Sequence, residues 1–350
     1  MDFGIALATT VDAWRWVKRA EELGFSHAWF YDTQMLCADP FVAMALAAAN
    51  TEKIRLGTGV LIPSNRIAPV AANGLASLSK LAPGRIDLGV GTGFTARRTM
   101  GLGAMRLDEM REYVRVVRGL LAGETVESVL EGERRKLRFL NPEAGLIDLD
   151  SEIPLHISAF GPRGRALSAE IAEGWMTFVN AIPLALQANQ LVDSACDEAG
   201  RDRKSLYRTG FTLGCVLADG EPADGPRARA QAGPLAAVLF HALAEQSLDA
   251  PLPPELESAV AAYREIYAGY EPPDARYLEL HRGHLMWVRE EEQPFISADL
   301  IRGLTLTGTA PELRDRIQTL RDGGYDQLAI QLVPGQEQAL DEWARLLETA

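Results

Sequence analysis

The sequence predicts an α/β protein, a (β/α)8 TIM barrel carrying two insertions, and three observations predict it. Short apolar strands alternate with amphipathic helices along 350 residues, and eight such strands can be counted. Strands this apolar need cover on both faces, as parallel sheets do. Glycine-rich segments fall directly after strands, where a barrel of this kind places its reactive loops. A doubly wound open sheet is the alternative. Against it, Gly89-Val-Gly91-Thr-Gly93 puts Phe94 where the third glycine of G-x-G-x-x-G belongs.

Phe3 to Ala8 reads as the first strand, followed by a helix over Val11 to Leu23 with Trp14, Val17 and Ala20 on one face and Gly24 as its stop. Trp14 and Trp16 read as core residues. His27 to Tyr31 is the second strand and Pro40 to Asn50 an Ala-rich helix. Ile54 to Leu61 is the third strand, Ala68 to Leu81 a helix, and Arg85 to Val90 the fourth strand. Leu107, Met110, Val114, Val117 and Leu121 keep a 3-4-3-4 spacing, the mark of a helix facing a core. Residues 123–153 break the rhythm and suit a β-hairpin excursion. Leu155 to Ala159 is the fifth strand, with a helix opening at Arg163. Trp175 to Val179 is the sixth, its end at Asn180, followed by a helix over Pro183 to Ala199. Arg208 to Leu217 is the seventh. Residues 219–303 are mostly helical and Pro-punctuated. Thr309-Ala-Pro-Glu312 reads as a capping box, Leu313, Ile317 and Leu320 as its helix stripe, Gly323-Gly324 as the stop, and Gln327 to Val333 as the last strand. One domain over 1–350, with insertions at about 123–153 and 219–303, is the expected organisation.

Apolar residues make up 47% of the chain, enough for a sizeable core, and the net charge is −13. That charge argues against nucleic acid and anionic membrane as partners, since both need basic surface. Cys37, Cys196 and Cys215 are scattered and form no C-x-x-C pair, which suits a reducing cytoplasm. Met-Asp-Phe-Gly-Ile lacks a basic n-region, so no signal peptide is expected, and no apolar run reaches membrane-spanning length. H-E-x-x-H, G-x-S-x-G and G-x-x-x-x-G-K-[ST] are all missing, and no His and carboxylate cluster stands at metal-ligand spacing. No metal site is expected.

Phe160-Gly161-Pro162 ends a strand and opens a helix with Arg163 and Arg165 in its first turn. Free backbone N–H groups and the helix dipole make an anion site there, and a phosphorylated cofactor is its natural ligand. An ordinary strand-to-helix turn needs the same glycine. Asp32 stands directly at a strand end and could hold a cofactor ring or do acid–base work; a helix cap or loop salt bridge is the plainer reading. Arg66, Arg97 and Arg98 could face an anionic tail or simply be solvated. His281 and His284, near Trp287, could reach over the barrel mouth as a lid or be ordinary packed histidines. Glycine-rich strand ends, a phosphate pocket and few acid–base candidates point to chemistry carried by a cofactor.

Several segments together resemble the bacterial-luciferase-like superfamily of flavin and deazaflavin oxidoreductases. They are Ala20-Glu-Glu-Leu-Gly-Phe with Trp29-Phe-Tyr-Asp32, Ile54-Arg-Leu-Gly-Thr-Gly-Val60, Leu78-Ser-Lys-Leu-Ala-Pro-Gly-Arg85 running on to Gly93, Arg98-Thr-Met-Gly, Leu107-Asp-Glu-Met-Arg-Glu-Tyr113, Phe160-Gly-Pro and Thr307-Gly-Thr-Ala-Pro-Glu312. The branch nearest in pattern is that of methylenetetrahydromethanopterin reductase. The resemblance implies a barrel holding coenzyme F420 (a deazaflavin) or FMN at the strand C-termini, with a non-proline cis peptide at Gly59-Val60 pressed against the ring. It places Asp32, Gly59, Val60, Gly91, Gly93, Ala159, Phe160, Gly161, Pro162 and Arg163 around the cofactor, and Asp32, Thr33 and Thr95 at the chemistry. Two departures matter. Thr33 stands where some deazaflavin-using members have histidine, and Phe94 where sugar-oxidising members have glutamate, so sugar-phosphate oxidation is not expected.

Hydride transfer between F420 and a small organic substrate is the leading expectation, in a cytoplasmic homodimer such as the superfamily commonly forms. A monooxygenase pairing reduced FMN with O₂ is the alternative on the same barrel. A catalytically silent cofactor-binding subunit is a further one. An isomerase or aldolase would want a strand-end lysine or paired carboxylates, and of Lys18, Lys53, Lys80, Lys136 and Lys204 none is well placed.

Overall fold

The computed structural model describes residues 1–179, 181–245 and 254–348. Asn180, at the expected end of the sixth strand, and residues 246–253 of the expected helical insertion lie outside the described residues. Twelve strands follow in chain order: β1 (Asp2–Leu7), β2 (His27–Phe30), β3 (Arg55–Thr58), β4 (Ile86–Gly91), β5 (Val126–Leu130), β6 (Glu133–Leu137), β7 (Leu155–Ser158), β8 (Gly174–Phe178), β9 (Tyr207–Thr212), β10 (Gly214–Leu217), β11 (Leu306–Thr309) and β12 (Gln327–Leu332). Strands β1, β2, β3, β4, β7, β8, β9 and β12 pair in that order and close on β1. Every pairing in the ring is parallel. All six residues of β4 and all six of β12 are buried, the two-sided burial that helices around a barrel provide.

Between β4 and β7 the hairpin of β5 and β6 stands where the sequence predicts an excursion. Its turn residues Glu131 and Gly132 both have positive φ, the geometry a two-residue hairpin loop requires. Helix Leu107–Leu121 buries Met110, Val114 and Val117 as the spacing predicts. Glu312 accepts from the Thr309 backbone N–H at 2.8 Å, closing the expected capping box on helix Ala310–Asp322. Trp14 and Trp16 pack half-buried against the core.

One strand departs from expectation. The run Arg208 to Leu217 divides at Leu213: β9 stays in the barrel, while β10 leaves it and pairs in parallel with β11, a strand the sequence reading does not contain. Burial is nearly continuous across that run, so its hydrophobic pattern carries no mark of the break. The four residues of β11, Leu-Thr-Gly-Thr, are too few to show a period.

Between β10 and β11 the chain forms helices Pro226–Gln231, Gly233–Ala244, Pro254–Ala268, Tyr277–Leu280 and Ala298–Leu304. They gather a small core of their own around Phe240, Tyr263, Leu280, Ile296 and Ile301. This layer brings Leu235, Val238, His284 and Leu285 to the mouth of the barrel. Among the described residues no helix is long and apolar enough to cross a membrane.

Candidate active site at the barrel mouth

A cavity of ≈ 1270 Å³, its open mouth included, lies at the C-terminal ends of the barrel strands. Tyr31, Asp32 and Thr33 line it from the end of β2, Gly59, Val60 and Ile62 from β3, and Gly91 to Ala96 from β4. Ser158 and Phe160 come from β7, Met176, Thr177 and Phe178 from β8, and Phe211 from β9. The chain leaves the β3 ladder at Gly59, whose bond to Val60 is cis, as the resemblance implies. It returns for one bridge, Leu61 to Val90. A Cβ on Gly91 would stand 2.6 Å from Val60 Cγ2, so the bulge at Val60 needs glycine opposite it. Gly93 has φ +79° and begins the short helix Phe94–Arg98. Gly91 and Gly93 thus shape the cavity floor through the backbone.

Asp32 is 2% exposed. Its carboxylate accepts from the Ile62 backbone N–H at 3.0 Å and from Asn65 Nδ2 at 3.2 Å, and Arg66 Nη1 lies 3.0 Å from both oxygens. Arg66 also reaches Asp39, which caps helix Pro40–Asn50 through the N–H of Phe41 at 2.8 Å. Asp32 therefore ties the chain after the Val60 bulge to the end of β2. Its oxygens are occupied by donors from the protein itself, a salt bridge of the kind the plainer sequence reading describes.

At the far wall Ala159 is buried and accepts from Trp175 Nε1 at 2.9 Å, while Phe160 is half exposed. Gly161 caps helix Pro162–Ile171, and open space surrounds the position its Cβ would take. Arg165 turns back to donate to the Phe160 carbonyl, so it braces the turn. Arg163 is exposed and lines a cleft with Met105, Leu107 and Asp108. Of the two expected guanidinium groups, one is free to meet an anion.

Two of the other arginines are committed to carboxylates. Arg98 pairs with Glu245 at 2.9 Å and lies over the Phe94 ring at 4.0 Å, and Arg66 is held by two aspartates. Arg97 donates its Nε–H to the Gly103 carbonyl at 2.6 Å, a neutral acceptor that leaves its charge uncompensated.

Thr33 lines the cavity, and its carbonyl accepts from the N–H groups of Leu36 and Cys37, both at 2.8 Å. The Thr95 hydroxyl lies 3.2 Å from His284 Nε2. Of the two candidate lid histidines, His284 reaches the cavity and His281 sits behind it, while Trp287 is half exposed outside. Burial, together with His241 and His281, holds His284 well below the ordinary imidazole range. The next residue, Leu285, has φ +59°, rare for a side chain of its bulk, and its carbonyl accepts from Gln331 Nε2 at 2.5 Å. Gln331 in turn accepts from the Tyr31 hydroxyl at 2.8 Å, so β2 and β12 both hold the lid corner.

The model of one family, described as luciferase-like monooxygenase, matches residues 4–327. The chain belongs to the luciferase-like monooxygenase family. Within that family it is 31% identical over 195 residues to a 5,10-methylenetetrahydromethanopterin reductase from Methanolobus tindarius, covering 55% of this chain and 57% of that one. It is 36% identical over 140 residues to an F420-dependent glucose-6-phosphate dehydrogenase from Beutenbergia cavernae, covering 38% and 40%. Each match thus spans little more than half of the relative's length, or less. A solved F420-dependent secondary alcohol dehydrogenase in complex with an F420–acetone adduct superposes with a TM-score of 0.69 at 19% identity, over 99% of this chain and 98% of that one, a likeness of fold.

The apolar wall of Met176, Phe178, Phe211, Leu235 and Val238 escapes a reading by motif, because in sequence these residues look like any core. His284 is visible only as one of two histidines near a tryptophan in a weakly patterned stretch.

Proposed function

We propose that this chain is an oxidoreductase that moves a hydride between a deazaflavin of the F420 type and a small organic substrate. The observation carrying this reading is that one cavity joins the Val60 bulge to Phe160, the residue next to the helix N-terminus at Gly161, while Gly161, Pro162 and Arg163 stand just outside its lining. A planar ring needs such a ledge, and its acidic tail needs exposed N–H groups and the charge of Arg163. The residues present fit the cofactor. When bound, the deazaflavin supplies or accepts the hydride.

The chain's own residues do the rest. Val60 supports the ring face, and Asp32 acts as a positioning residue by anchoring the loop beyond it. Thr95, fixed by His284, offers its hydroxyl to a substrate oxygen and holds the proton there. The wall around it is apolar, with Phe94 where a sugar-oxidising site has an acid, which favours a small uncharged alcohol or carbonyl compound over a sugar phosphate. A luciferase-like barrel domain over the whole chain is supported by a ring that runs from Asp2 to Leu332. Free Cys37, Cys196 and Cys215 support a reducing, cytoplasmic setting.

One observation favours a second reading, reduced FMN with O₂: Arg66 and Arg98 are committed to carboxylates, which leaves few arginines for a long acidic tail, and FMN needs only the Gly161 turn for its phosphate. The test is to mix the protein with oxidised F420 and a panel of small secondary alcohols, and with reduced F420 and the matching ketones, following the visible absorbance of the deazaflavin. Turnover with at least one pair is expected. No turnover with F420, combined with enzyme-dependent insertion of one oxygen atom from O₂ into a substrate in the presence of reduced FMN, the other leaving as water, would establish the second reading instead.

A further inference from the structure

His284 faces the cavity with one ring nitrogen and turns its other toward two more buried histidines. His241, on helix Gly233–Ala244, and His281, just after helix Tyr277–Leu280, are each 3% exposed, and His284 is 7% exposed. One ring nitrogen from each lies within 4.8 Å of the other two, and among the described residues this is the one group of three or more side chains so disposed to hold a metal.

The second nitrogens settle the arrangement. His241 Nε2 lies 2.6 Å from Glu292 Oε1, His281 Nε2 lies 3.2 Å from Glu245 Oε1, and His284 Nε2 lies 3.2 Å from the Thr95 hydroxyl. The two carboxylates draw the N–H to Nε2 of His241 and His281 and leave their Nδ1 atoms with a lone pair, and the Thr95 hydroxyl can accept from His284 Nε2 in the same tautomer. Glu292 is itself fixed by Arg289 at 2.5 Å and the Tyr263 hydroxyl at 3.0 Å, and Glu245 by Arg98 at 2.9 Å. Metal-ligating histidines are oriented in this way, the ring nitrogen away from the metal donating to a carboxylate or another acceptor.

The Nδ1 atoms of His241 and His284 are 3.3 Å apart, and His281 Nδ1 is buried with no hydrogen-bond partner. Two nitrogens bound tetrahedrally at zinc distances stand about 3.3 Å apart, as the metal–nitrogen length requires. A hydrogen bond between His241 and His284 would explain that contact but leave the third nitrogen orphaned, whereas a cation would engage all three once the His281 ring, within 4.8 Å of the others, draws in to it.

We propose that His241, His281 and His284 form a binding site for a divalent transition metal of the zinc type, with three imidazole ligands and a fourth position for water. Imidazole donors select this class over calcium or magnesium. The site stands on these residues alone and does not depend on the hydride-transfer reading, although a metal there would hold His284 with its Nε2–H directed at Thr95.

The experiment is to strip the full-length protein with chelator, titrate it with Co²⁺, and then displace the Co²⁺ with Zn²⁺. One equivalent of Co²⁺ with the intense visible bands of four-coordinate cobalt is expected, bleached by one equivalent of Zn²⁺. His281→Asn should abolish the bands, and Glu245→Gln should weaken binding about 10- to 100-fold, the size typical of a lost outer partner. Circular dichroism and a cooperative thermal unfolding transition show whether each variant is folded. Absence of four-coordinate bands in wild-type protein, or the same bands in folded His281→Asn, would overturn the proposal and leave a hydrogen-bonded histidine cluster. An F420 titration that fails while cobalt binds would sink the hydride-transfer reading alone.

Discussion

Replacing Asp32 with asparagine removes the charge that holds the chain after the Val60 bulge against β2. The carboxylate is 2% exposed and meets Arg66, the Ile62 N–H and Asn65 within 3.2 Å. Breaking a buried ion pair by removing one partner costs about 3–5 kcal/mol, because the remaining charge is left uncompensated. Arg66 keeps Asp39, and the asparagine oxygen can still accept from Ile62, so the expected cost falls to about 2–3 kcal/mol. Urea unfolding followed by tryptophan fluorescence reads this as a lower midpoint at unchanged slope. A parallel F420 titration should weaken as the Val60 ledge loses its anchor. Asp32→Asn protein with wild-type stability and wild-type F420 affinity but no turnover would refute the reasoning and make Asp32 an acid–base group.

Further outcomes follow from the same geometry. In Gly91→Ala the new Cβ lands 2.6 Å from Val60 Cγ2, so a loss of about 1–3 kcal/mol and weaker F420 binding are expected; unaltered binding would mean that Val60 does not support the ring. Arg163→Ala should weaken F420 about tenfold, more at low salt than at high, whereas Arg165→Ala should act through stability by freeing the Phe160 carbonyl. Equal effects of the two changes on affinity would contradict that division. His27 is buried at the base of the barrel, and burial pushes it down to about 4 from the usual 6.5. The unfolded chain takes up that proton first, so the contribution is intact above pH 6.5 and falls by about 3 kcal/mol as pH drops to 4. Stability measured across that range should be flatter in His27→Gln, and an unchanged slope would exclude His27 as its source.

How much was legible in the sequence follows from where the physics is local. Helices Pro40–Asn50 and Ala68–Leu81 stand at their expected bounds, because Pro near the start and a run of good helix formers are local signals. The Gly161 turn is legible from the residues themselves, whereas the Gly59–Val60 cis bond is expected only through the family resemblance. The departure of β10 from the barrel was not legible, since Leu213 sits in an unbroken buried run and its partner strand begins at Leu306. Asp32 and the arginines were legible as a set of charges but not as pairs. Arg66 and Arg98 find their carboxylates through the fold, one of them 147 residues away. The three histidines show the same limit most plainly, for 43 residues separate His241 from His284 and no spacing rule joins them.

The most direct test of the account is an equilibrium fluorescence titration of the purified protein with F420, run beside one with FMN. Saturable F420 binding at one per chain, at least tenfold tighter than FMN and weakened by Arg163→Ala, is the expected result. Binding of neither, or of FMN alone, would contradict the claim that the cavity above Val60 holds a deazaflavin.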